Sequence, residues 1–268
     1  MRKLAAAVGV AFACVVAAAP PVPAAARPTA AHAPSRANGG YARAARDVLA
    51  RARAASGGAG WNLLRGWHES GREGQVRYES WADPLRYGMR VERHEPGGLH
   101  VHGFNGAGDW QIQPNGAVTG VADRPTVTQA RTEAFFRVNG YFYPGRFEGN
   151  GDYLGVRQAG GRSFDVLSVR PWGGYPRELW FDRRTHLLAR MVDRNGARPV
   201  TTEISDYRRI GPVLIAFHFA IEEGGATQER QVESVVFTPA DRALFSLPRP
   251  DGPAPPVPSG DKRHDLAP

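Results

Sequence analysis

The sequence of 268 residues contains a single cysteine, Cys14, so it cannot close an internal disulfide. Lysine is nearly absent as well: Lys3 and Lys262 are the only two, and arginine carries the rest of a basic excess that sets the formal net charge at +8. A bilayer-spanning helix needs roughly 20 apolar residues, and the one sustained apolar run, 4–19, falls short before Pro20, Pro21 and Pro23 end it. Several chemistries have no local signature. There is no G-x-S-x-G elbow, no D-T/S-G loop, no HExxH, no GxGxxG opening a helix and no GxxxxGK[ST]. Elbow-type hydrolysis, aspartyl proteolysis, zincin chemistry and nucleotide binding therefore lack support. No repeat of 20 to 50 residues recurs, which argues against a solenoid or propeller.

The N-terminus reads as an export signal over residues 1–26. Arg2 and Lys3 form the charged region, the apolar run follows, and Ala24-Ala25-Ala26 supply the small residues of a cleavage site. Cys14 lies inside it; Phe12 and Ala11 make a poor lipid-attachment context, so anchoring through Cys14 is not expected. The mature chain would then be cysteine-free, and its stability must come from burial. A Pro/Ala-rich stretch, 27–40, and a Pro-rich tail, 249–268, read as disordered. Residues 41–248 are enough for one domain with a real core. The arginines are scattered among acids, as in Arg90-Val91-Glu92-Arg93 and Asp182-Arg183, which is the pattern of solvated strand faces and not of a nucleic-acid patch.

What fills 41–248 is mostly β-pattern. Tyr41, Ala45, Val48, Leu49 and Ala52 fall at helical spacing before Gly57-Gly58, giving a first helix with a narrow, alanine-rich stripe suited to lie on a sheet. Alternating segments separated by turns follow from Trp61 to about Val121. A second helix is expected at 128–138, with Phe136, Tyr141, Phe142 and Tyr143 extending its apolar surface. Then come two strands around Gly160-Gly161, a hairpin turning at Asp182-Arg183-Arg184-Thr185, and a Thr-rich strand ending at Ile210-Gly211-Pro212. The strand after it places Val213, Ile215, Phe217, Phe219 and Ile221 on one face at two-residue spacing. One large antiparallel sheet is the simplest arrangement of so many strands.

Four stretches carry a family resemblance. They are Gly103-Phe104-Asn105-Gly106 with Trp110, the ELWFD-x3-HLL hairpin at 178–188, the T-x-x-SDYR-x-I-G-x-VLI-x-F segment at 202–217, and the closing V-x-FTPADRALFSLP, in which Phe237, Pro239, Leu244, Phe245, Leu247 and Pro248 fit. Over about 42–248 the chain resembles the LolA/LolB-like superfamily of outer-membrane lipoprotein-sorting proteins. The resemblance implies a mainly β (α+β) fold: a strongly curved antiparallel sheet forming an unclosed half-barrel of about 11 strands, with two or more helices covering the concave face. It also implies an apolar cavity for acyl chains, no cofactor, a periplasmic location and peripheral membrane contact. A large twisted sheet would curl in any case, and its concave apolar face needs a cover.

The expected cavity residues are Trp67, Trp81, Met89, Trp110, Phe135, Phe136, Tyr141, Phe142, Trp180, Leu188, Phe217 and Phe219, chosen as bulky groups on inward faces or on the covering helices. Each could equally be ordinary core. His100 and His102 could share a strand face with His94 nearby, but no third ligand spacing supports a metal site, and none is expected. His218, Glu222, Ser205 and Asp206 can be drawn as a hydrolase triad, yet spacing alone gives no proximity, and no catalytic residue is assigned. Two readings stand: a non-catalytic, monomeric carrier of lipid or lipoprotein acyl chains, and an interaction or sensory domain that binds another envelope protein.

Overall fold

The structure is a computed structural model that describes residues 40–247. The expected export signal, Cys14, the Pro/Ala stretch up to residue 39 and the tail from 248 lie outside the described residues. The chain opens with helix α1 (Arg43–Ser56) and a six-residue 3-10 turn (Gly58–Leu63). Six strands follow: β1 (Trp67–Glu73), β2 (Val76–Ala82), β3 (Met89–Glu95), β4 (Gly98–Phe104), β5 (Asp109–Ile112) and β6 (Val118–Val121). Helix α2 (Arg124–Arg137) and a short 3-10 turn (Gly140–Phe142) come next. Seven more strands complete the fold: β7 (Gly149–Ala159), β8 (Arg162–Pro171), β9 (Arg177–Asp182), β10 (Leu188–Asp193), β11 (Val200–Ile210), β12 (Val213–Glu223) and β13 (Ala226–Val236).

All thirteen strands join one antiparallel sheet in the order β6-β5-β4-β3-β2-β1-β13-β12-β11-β10-β9-β8-β7. Two meanders meet at the centre, where β1 pairs with β13, and the free edges are β6 and β7. The sheet is strongly curved. Strands β4 and β8 stand nine places apart, or about 43 Å on a flat sheet at ~4.8 Å per strand, yet both touch α2, which is only about 10–12 Å across. The same helix links the two edges in sequence. The result is an unclosed half-barrel with helices over its concave face, and it has thirteen strands where about eleven were expected, the short outer pair β5 and β6 included.

Local chemistry explains where the elements begin. Helix α2 starts at Arg124, four residues before the expected 128, because Asp123 Oδ1 accepts a hydrogen bond from the Thr126 amide at 3.1 Å and Pro125 sits in the first turn. Tyr41 does not join α1; it bridges to Gly151, and the Ala42 amide donates to the Gly151 carbonyl at 2.9 Å, tying the helix to β7. The stretch 61–66 is not strand. Gly57, with φ of 139°, redirects the chain, and a Cβ there would lie 2.7 Å from the Pro212 carbonyl oxygen. Trp61 Nε1 then donates to Ser56 Oγ at 3.0 Å, and Tyr143 Oη donates to the Trp61 carbonyl at 2.9 Å, which locks the turn between α1 and the concave core.

That core lies between the sheet and the helices. Ala45, Val48, Leu49 and Ala52 of α1 pack with Leu167, Leu179, Ile215 and Val232 of the sheet, and Phe135, Phe142 and Phe147 fill the space beside them. A second cluster, Met89, Val91 and Phe104, lies under Ala130 and Ala134 of α2. The convex face has its own cover over β2 to β5: residues after β13 cross it, so that Leu244 and Phe245 pack on Trp81 and the Trp110 indole N–H donates to the Phe245 carbonyl at 2.9 Å.

Candidate functional site

Beneath the helices the concave face is not completely filled. A cavity of about 320 Å³ remains, walled by residues from both helices, both short 3-10 turns and strands β1, β3 and β9 to β13. Its composition changes along the sheet. Over β9 to β12 the wall is mainly apolar, with Phe181, Leu188, Met191, Ile204, Ile215 and Phe219, facing Phe136, Tyr141 and Phe142; its polar groups are Thr202, Tyr207 and, on β9, Arg177, which is paired with Asp193. On the side of β13, β1 and β3 it carries charge: Arg230, Glu69 and Arg93, faced by Glu133 and Arg137 from α2.

The hydroxyls in the apolar part are neutral donors. Burial pushes Tyr141 and Tyr207 well above the ordinary phenol range, and Tyr207 Oη donates to the Leu188 carbonyl at 2.7 Å. At the charged end each carboxylate already has donors. Glu69 accepts from Tyr78 Oη at 2.7 Å and from Trp67 Nε1 at 3.4 Å, and Glu133 accepts from Gln129 at 2.9 Å. Burial first, and the neighbouring Arg230 second, pull the Arg137 guanidinium below its usual value, while Glu69 and Glu133 oppose the shift. It remains a cation, as guanidinium always does in proteins.

Six of the twelve residues named from sequence stand on this wall: Trp67, Phe136, Tyr141, Phe142, Leu188 and Phe219. The other six lie elsewhere. Phe135 and Phe217 are packed in the concave core without reaching the cavity, and Met89 is sealed beneath α2. Trp81, Trp110 and Trp180 are on the convex face. Trp81 stacks on His68 with ring centroids 4.7 Å apart, Trp110 lies against the Phe245 segment, and Trp180 packs on Phe164 with Arg157 and Arg190 over its ring. Reading by bulk also passed over the charged wall. Alternation pointed to two of those residues: Glu69 is two residues from the inward Trp67, and Arg230 two from the buried Val232.

A hydrogen-bonded row of triad-like composition does exist. Ser205 Oγ lies 3.0 Å from His218 Nδ1, and His218 Nε2 lies 2.8 Å from Glu229 Oε2, across β11, β12 and β13. It sits on the face opposite Phe217 and Phe219, on the solvent-facing side of the sheet. His102 is paired with Asp109, His100 stands 3.9 Å from Glu95, and among the described residues no group of three or more His, Cys, Asp or Glu could hold a metal ion.

Fold and site together define a half-barrel domain with an amphipathic cavity under its helices. Several solved structures are similar to the chain in fold, at low identity. A domain from Vibrio parahaemolyticus described as an outer membrane lipoprotein-sorting protein matches at a TM-score of 0.49 and 15% identity, over 74% of this chain and 94% of that one. A DUF1329 family protein from Desulfovibrio piger matches at 0.48 and 12%, over 75% and 96%, and a LolA superfamily protein from Nitrosomonas europaea at 0.46 and 12%, over 75% and 96%. No family model matches the sequence, and no curated protein does. At these scores no residue or ligand is carried across, and the fold assignment rests on the chain's own strand order.

Proposed function

We propose that this protein is an exported, non-catalytic binding or carrier protein of the bacterial envelope that accepts an acyl chain of a lipid or lipoprotein. The observation that carries the reading is the cavity itself. Helices packed on a sheet ordinarily interdigitate with it, whereas a pocket of about 320 Å³, partly open to solvent, is left here between the helices and a wall rich in aliphatic and aromatic side chains. That volume is at the lower end of ligand cavities, roughly 300–1,000 Å³, and suits one chain. Each buried methylene contributes about 0.8 kcal/mol, so eight of them supply about 6 kcal/mol before ordering costs are met.

Two of the six tryptophans, Trp61 and Trp67, line the cavity, and this supplies the test. A fatty acyl chain brominated along its length should quench intrinsic fluorescence saturably. In a Trp61→Phe/Trp67→Phe variant most of that quenching should vanish, because Trp81, Trp110 and Trp180 are on the convex side. Quenching that survives in the variant, or none in the parent, would contradict the reading.

A further inference from the structure

The charged end of the cavity has an unusual feature. Four arginines line the cavity, and two of them are paired: Arg93 with Glu73 at 3.1 Å and Arg177 with Asp193 at 2.8 Å. Arg137 and Arg230 make no ion pair within 4.0 Å among the described residues, and the buried Nε of each has no hydrogen-bond partner there. Those Nε atoms have almost no accessible surface, so a ligand in the cavity would be met by the Nη groups of the two guanidiniums. Glu69 and Glu133 offset the two charges at a distance, but their hydrogen bonds go to Tyr78, Trp67 and Gln129.

The two guanidiniums are also held in place. Arg137 donates through an Nη to Ser80 Oγ at 2.8 Å, and the Arg230 guanidinium lies over the Phe219 ring at 4.1 Å, the ring that itself lines the apolar wall. A planar guanidinium offers N–H donors in a fork that fits carboxylate and phosphate oxygens. We propose that Arg137 and Arg230 form a headgroup site for an oxyanion, phosphate or carboxylate, attached to the acyl chain. The assignment rests on the acyl-chain reading above and narrows it to anionic amphiphiles. The chain would run over β12 to β9 and the anion would sit at β13 and β1.

Binding of three twelve-carbon probes at neutral pH separates this proposal from the reading beneath it: dodecyl phosphate, dodecanoate and methyl dodecanoate. The anionic probes should bind roughly tenfold or more tightly than the ester, the factor that one charge-assisted hydrogen bond contributes. In Arg137→Gln/Arg230→Gln all three should bind alike, at the level of the ester. Arg230→Gln alone, at a half-buried strand position, should lose part of the preference, and so reports even if the double variant does not fold. A tighter phosphate indicates a lipid phosphate as the natural source, and equal or tighter carboxylate a free acyl carboxylate. Equal affinities in the parent, or a preference that survives both substitutions, would overturn the headgroup site while leaving the acyl-chain reading intact. No binding of any probe would overturn that reading as well.

Discussion

Asp182 shows how much one side chain can hold. Its Oδ1 accepts from the amides of Arg184 and Thr185 at 2.8 and 2.9 Å, and its Oδ2 pairs with Arg162 at 2.7 Å, so the turn between β9 and β10 is built on its charge. Burial alone would raise its pKa, but the bonds from Thr185, Arg162 and Arg184 outweigh it and hold the carboxyl below the ordinary range. A depressed carboxyl stabilises the fold fully above its unfolded value, about 3.9, and that contribution is lost as pH falls through the lower folded value. Asp182→Asn should therefore lower the urea midpoint at neutral pH, with the gap to the parent closing below about pH 4. A gap that stays constant into acid would show that the charge is not what matters. The sequence made this turn legible but not the neighbouring tryptophan's direction. Leu179, Trp180 and Phe181 are consecutive bulky residues, and both faces of β9 are buried, so alternation could not say that Trp180 points outward.

At the scale of elements, the Gly-Phe-Asn-Gly stretch with Trp110 is explained by contact. Trp110 lies across Gly103 on the neighbouring strand, where a Cβ would come within 2.1 Å of the indole ring. Asn105 Oδ1 accepts from the amides of Ala107 and Gly108, both at 2.9 Å, to close the β4–β5 turn. Gly103→Ala should cost about 1–3 kcal/mol, the usual penalty of overpacking, read from the urea midpoint; a change under 0.5 kcal/mol, the size of ordinary surface effects, would mean that Trp110 can move aside. The closing Leu244-Phe245 pair is explained likewise, since it covers Trp81 and accepts from Trp110 on the convex face. Element type was legible wherever a two-residue or helical period ran unbroken. Boundaries set by a single cap were less so: Asp123 and Pro125 moved α2 forward, and Gly57 turned 61–66 away from strand.

For the whole molecule, the decisive quantity is the mismatch between a thirteen-stranded sheet that curls and two helices too narrow to fill it. The curl of the sheet followed from strand number and twist and the half-barrel from the family resemblance, but the cavity wall did not, because its polar end is assembled mainly from β1, β3, β13 and α2, far apart in sequence. Alternation gives each residue a face; only the curvature decides which faces meet. The central claim is that this space holds an acyl chain in the living cell. The most direct measurement is native mass spectrometry of the protein purified from its own host's membranes, beside a Phe219→Asp variant that puts a charge on the apolar wall. The account predicts a co-purifying acyl-chain species in the parent and its loss from a folded variant. A ligand-free mass for the parent, or the same adduct in both, would contradict it.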